Sequence, residues 1–153
     1  MLPGAYNNNV QLVQTPGYVA ILNEMIHEHR IVPLDGRPHI HDDIRQWNGD
    51  TRGHWEGNTL VVDTTNFTDT QEFRGVRQGT LHLVERFTRV DATTIDYEVT
   101  IDDPTMWTRP WTFLLPWQKD DSYEMFEYAC HEGNYSMEGI LAGARAQEKA
   151  RLR

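Results

Sequence analysis

Short apolar runs separated by turn dipeptides recur along most of this chain, and that rhythm leaves few folds open to it. The clearest case is residues 52–67, which reverse at Gly57-Asn58. A two-residue turn there sets Glu56 against Thr59, Trp55 against Leu60 and Arg52 against Asp63. One face then carries Trp55, Leu60, Val62, Thr64 and Asn66. The other carries Arg52, His54, Val61 and Asp63, with Arg52 and Asp63 a cross-strand pair suited to solvent.

The same reading applies on either side. Residues 10–15 end at Pro16-Gly17, residues 18–24 follow, and a tight reversal at 25–28 leads into residues 30–34, closed by Asp35-Gly36. Residues 37–50 mix Pro, His, Asp and Asn without periodicity and read as a long loop of the kind that often carries function. Residues 80–90 and 94–102 form a hairpin that turns at Ala92-Thr93 and sets Val90 against Ile95. Its second strand alternates cleanly, so the face with Tyr97, Val99, Ile101, His82, Val84 and Arg86 is taken as inward. Residues 107–118 and 123–132 make a last hairpin around a four-residue loop. Its most apolar face holds Trp107, Trp111, Phe113, Tyr128 and Cys130, and sets Arg109 opposite Glu132. Pro110 and Pro116 fall on the other side and mark an irregular edge. Ser136 caps a helix over residues 136–151, with Glu138 in its first turn and Lys and Arg in its last.

About eight to nine strands in hairpin order with one terminal helix predict a mainly β protein. The expected form is one domain over residues 1–153: an antiparallel up-and-down, lipocalin-like barrel, whose closure removes exposed strand edges. The length of 153 residues suffices for a core without staples. A net charge of −9 argues against nucleic acid and against anionic membrane surfaces as partners. No apolar run is long enough for a transmembrane helix. Cys130 is alone, so no intrachain disulfide forms, and the first residues lack the basic and apolar regions of a signal peptide.

Chemistry enters through parity. Arg86, Arg109 and Glu132 fall on apolar strand faces, and charges seldom lie inside unless paired or used. Hairpin order gathers Asn66, His82, Arg109 and Glu132 at one barrel mouth, with Arg86 deeper and His39 and His41 overhead. Tyr97, Trp107, Trp111 and Tyr128 would line the substrate site with Asn66. Glu132 or His82 would move a proton, while Arg86 and Arg109 would hold negative charge. No nucleophile elbow or phosphate loop is present, so a metal-independent lyase, dehydratase or isomerase acting on a small molecule is the leading expectation. Two alternatives stand beside it. In one, the barrel binds a small apolar or aromatic ligand without catalysis, the charges fixing its orientation; apart from either, Arg109 and Glu132 also read as a structural ion pair closing the barrel end. In the other, His39, His41 and His82 hold a divalent metal for a hydrolase or oxygenase; no cofactor is otherwise expected. Self-association is compatible with all three.

Several runs resemble a family of uncharacterised bacterial proteins: Gln14-Thr15-Pro16-Gly17-Tyr18, Asp35-Gly36-Arg37-Pro38-His39, Gly53-His54-Trp55-Glu56-Gly57 and Thr59-Leu60-Val61-Val62. Glu85-Arg86-Phe87, Trp107-Thr108-Arg109-Pro110-Trp111-Thr112 and Glu127-Tyr128-Ala129-Cys130 extend the likeness over nearly the whole chain. Members frequently carry an export signal ahead of this region, so the resemblance implies secretion of the full-length protein. It implies no particular activity and transfers no catalytic residue.

Overall fold

Where the turns fall decides which side chains meet, and this is clearest at the two central hairpins. The protein is seen in a computed structural model that describes residues 7–70, 72–73, 76–77, 79–129 and 131–151. Cys130 lies outside the described residues. Strands β1 (Val10–Gln14), β2 (Tyr18–Asn23) and β3 (His29–Pro33) come first, then β4 (Asp50–Glu56) and β5 (Thr59–Thr65). The short β6 (Glu72–Phe73) and β7 (Val76–Arg77) precede β8 (His82–Arg89), β9 (Thr94–Asp102), β10 (Trp111–Gln118) and the helix α1 (Ser136–Arg151). One antiparallel sheet has the order β1-β2-β3 and a second the order β10-β9-β8-β5-β4, while β6 and β7 pair with each other.

The mainly β, hairpin-ordered chain with a C-terminal helix is as expected; among the described residues the strands form two antiparallel sheets and no closed barrel is detected. Among the described residues no ladder joins β3 to β4 or β10 to β1. The reason at β3 and β4 is a side-chain contact in place of a backbone one. A Cβ on Gly53 would lie 2.5 Å from Val32 Cγ1 and 2.9 Å from Leu34 Cδ2, so only a glycine lets the small sheet rest on β4. Val19, Ile21 and Val32 from the small sheet pack with Leu60, Val62, Phe87, Tyr97, Val99 and Ile101 from the large one. Phe87, Tyr97 and Trp117 add an aromatic cluster with centroids 4.3–5.7 Å apart.

The β4–β5 register is the expected one, with Glu56 opposite Thr59 and Arg52 opposite Asp63. The β8–β9 register differs by one residue. Arg89 pairs with Ile95, and Val90 N–H bonds Thr94 O at 3.0 Å, so the loop is Asp91-Ala92-Thr93. Asp91 Oδ1 stabilises that longer loop by accepting from Thr93 N–H at 2.7 Å. One extra loop residue turns one strand over relative to the other. Glu85 therefore joins Tyr97, Val99 and Phe87 inside, and Arg86 lies on the outer face opposite Glu98.

The inward Glu85 is fully buried and bound on both oxygens. Arg30 donates to Oε2 at 2.5 Å and to Oε1 at 3.0 Å, and Tyr97 OH donates to Oε1 at 2.6 Å. Burial, the largest single influence, would raise the Glu85 carboxyl, but the Arg30 charge together with the hydrogen bonds from Arg30 and Tyr97 outweighs it and holds the group below its usual range. Burial, then the Glu85 charge, pushes the Tyr97 phenol up.

The last expected hairpin is also revised. β10 pairs with β9, and no strand forms over residues 123–129. That segment crosses to the small sheet, where Tyr123 OH donates to Glu24 Oε1 at 2.5 Å. Pro116 sits in β10 opposite Asp96, in the strand that ends the large sheet. The helix spans Ser136–Arg151 as expected, and none of its residues is buried.

Candidate functional site

The outer face of the large sheet carries Thr59, Asp63 and Thr65 of β5 and His82, Arg86 and Thr88 of β8, with Val61 and Val84 among them, while Leu60, Val62, Leu83 and Phe87 turn inward. On it Arg52, Asp63 and Val84 stand side by side across β4, β5 and β8, and His82 lies at the start of β8. The loop over residues 34–49 folds back onto this row. Asn66 holds it there: buried, with φ 57°, it donates from Nδ2 to Ile40 O at 3.2 Å, His41 O at 3.1 Å and Ile44 O at 3.2 Å. The tripled anchor brings His39 over the sheet.

His39 then sits between two carboxylates, with Nδ1 2.8 Å from Asp50 Oδ2 and Nε2 2.9 Å from Asp63 Oδ1. Both contacts are hydrogen bonds when each ring nitrogen carries a hydrogen. Asp50 also accepts from Ile40 N–H at 3.1 Å and from Arg52 NH1 at 2.8 Å. On the far side, Asp63 Oδ2 lies 2.8 Å from His82 Nε2. The result is an unbroken line, Arg52–Asp50–His39–Asp63–His82, in which basic and acidic groups alternate. The His82 side chain is 39% exposed, and its Nδ1 makes no hydrogen bond among the described residues.

The line begins at a cleft. A space of ≈ 360 Å³ lies between β3 and residues 46–52, with Arg30, Ile31, Trp47, Asp50 and Arg52 among its walls. Trp47 is 61% exposed there, offering a flat apolar surface beside charged groups.

The mouth expected from sequence does not assemble. His82 and His39 do meet, through Asp63. Arg86, expected deep in the mouth, is outward and donates to Glu56 Oε2 at 2.5 Å. That contact, then His54, lowers the Glu56 carboxyl. Arg109 is exposed in the bend before β10 and Glu132 exposed in a turn before α1, with no ion pair between them. Tyr97 is a core residue and Asn66 a loop anchor, so neither faces a lumen. Trp107 and Trp111 do adjoin, edge to face at 5.6 Å, beside β10, and Tyr128 is half-buried in the segment after it. His41 is largely exposed beside Asp43, away from His39 and His82 in their shared contact. Among the described residues, no group of three or more His, Cys, Asp or Glu side chains is set to hold a metal ion.

Sequence reasoning missed Asp50, Asp63 and the role of Arg52. The readable signal was Asp63 on the polar face of the clearest hairpin; Arg52, its expected partner across the strands, turns to Asp50 instead. No protein-family model matches the chain, and no curated protein or solved structure shows significant similarity to it. Among the described residues no helix is long and apolar enough to cross a membrane.

Proposed function

We propose that the protein is an acid–base enzyme acting on a small carbonyl-bearing or anionic molecule, of the lyase, dehydratase or isomerase type, with His82 as the proton-transfer group. The observation that carries this reading is the 2.8 Å contact of Asp63 Oδ2 with the Nε2 of a partly exposed His82. A carboxylate that accepts the Nε2 hydrogen leaves the lone pair on Nδ1, the nitrogen turned away from it. That nitrogen takes a proton from a carbon next to a carbonyl and returns it elsewhere, and Asp63 stabilises the imidazolium formed between the two steps. His39 keeps Asp63 in place from the other side. Such a step needs no nucleophile and no metal. A lipocalin-like lumen is not required either, since the dyad lies on the outer face.

The test needs no prior substrate. The protein is incubated in D2O with a panel of 2-oxo, 3-oxo and 2-hydroxy acids, and exchange of carbon-bound protons is followed by NMR. The expected result is catalysed exchange with at least one compound, lowered about a hundredfold or more in His82→Gln and less in Asp63→Asn. Exchange at the buffer rate throughout, or full exchange in His82→Gln, overturns the reading.

The cleft beside Trp47 favours a second reading, a protein that binds a small ligand without changing it. A ligand bound and recovered intact after long incubation, with affinity weakened in Trp47→Ala, would select it. Elemental analysis of untagged protein addresses the metal-dependent alternative built on His39 and His82.

A further inference from the structure

Two apolar surfaces of this chain are left without a cover among its described elements. The first is α1, whose Met137, Ile140 and Leu141 are all exposed and fall within one stripe at helical spacing. An isolated helix of 16 residues is marginal in water, so its stability depends on an apolar partner. The second is the core-side face of β10, where Trp111 is 38% exposed and Phe113, Leu115 and Trp117 are only partly covered. Trp107 extends that face in a run of rings, 5.6 Å from Trp111, which is 5.8 Å from Phe113.

We infer that the occupant of each surface is the other, supplied by a second copy of the chain: two molecules exchange C-terminal helices, each laid along the β10 face of its partner. Length and charge support the fit. The 16-residue helix measures roughly 24 Å and the eight-residue strand roughly 26 Å. At the Trp111 end of the strand stands the exposed Arg109; at the Gln118 end stand the exposed Asp120 and Asp121, with Lys119 bonded to Asp121 at 2.7 Å, so that end stays net acidic. The helix carries Glu138 in its first turn, and in its second half Arg145, Lys149 and Arg151 outnumber the one acidic residue, Glu148. A helix running in the same direction as β10 therefore sets Glu138 by Arg109 and the basic end by the aspartates. The basic end also moderates repulsion between two chains of net charge −9. The chain between β10 and α1 is held on the small sheet by Tyr123 and Glu24, and residues 125–127 adjoin Leu22 and His27 there. Among the described residues α1 makes no extensive contact with its own β10, which leaves it for a partner. Reciprocal exchange of this kind closes on itself as a two-fold dimer.

The test is the mass of the full chain by sedimentation velocity and light scattering over about a hundredfold range of concentration. A dimer is expected, with Ile140→Asp raising its dissociation constant roughly tenfold or more. Ile140 is exposed, so that variant keeps the fold. Arg109→Glu and Glu138→Arg are each expected to weaken the dimer, and together to restore it, which reads the direction of the helix. A monomer at every concentration overturns the inference, as does a dimer indifferent to Ile140→Asp. A dimer that responds to Ile140→Asp but not to Trp111→Asp, with the circular dichroism of the fold intact, also overturns it, because the helix would then rest elsewhere.

Discussion

Glu85 and Arg86 are neighbours in sequence with opposite fates, and the difference shows how a single side chain depends on its surroundings. Glu85 lies in the core against Arg30 and Tyr97, and removing its charge leaves the guanidinium buried and unpaired. Glu85→Gln is therefore expected to cost about 3–5 kcal/mol in urea unfolding. Replacing all three groups at once, Arg30→Met, Glu85→Leu and Tyr97→Phe, is expected to recover most of that loss, because no polar atom is then stranded. The pH dependence follows from the direction of the shift. The carboxyl is held below its usual 4.5, so the unfolded chain binds its proton more readily; the contribution of Glu85 is complete above about pH 4.5 and is lost as pH falls through the lowered value. Wild-type stability measured from pH 7 to pH 3 is expected to fall more steeply than that of the triple variant. Sequence made an inward charge legible but assigned it to Arg86 and not to Glu85, because a loop one residue longer cannot be told from a shorter one by composition. Asp91, which can brace the longer loop through Thr93, was the available hint.

At the scale of elements, strands with their own turn chemistry were readable and those defined by distant contacts were not. Gly57-Asn58 set the β4–β5 register correctly, and Pro16-Gly17 marked the turn between β1 and β2. The expected partner of β10 failed because Tyr123 is drawn to Glu24, ninety-nine positions away, and no local pattern records that attraction. The meeting of the two sheets was equally invisible, since Gly53 reads as a weak point in a strand, whereas it is the place where Val32 and Leu34 are admitted. Gly53→Ala is expected to destabilise by about 1–3 kcal/mol through overpacking. A Val32→Ala change in the same chain should relieve part of that cost, and equilibrium unfolding of the single and double variants measures it. The candidate site divides the same way. His39 and His82 were singled out from sequence, but the carboxylates that join them depend on a loop pinned by Asn66.

Taken as a whole, the molecule presents a polar outer face with the His82–Asp63 pair, a cleft beside Trp47, and an aromatic margin at β10. The overall class was legible because hairpin order follows from local turns. The division of the described strands into two separate sheets was not, because it turns on how two sheets press together. An open sheet also has a hazard that a barrel lacks. β10 is a terminal strand of Trp, Thr, Phe and Leu, the kind of segment that templates fibrils by adding copies of itself. Pro116 interrupts it by withholding one amide from any incoming chain. Pro116→Val is thus expected to leave the monomer fold in place while shortening the lag before thioflavin-positive aggregates appear in agitated solution. In that light the ring of one proline serves as a guard against amyloid, set into the segment where the protein is most exposed to it.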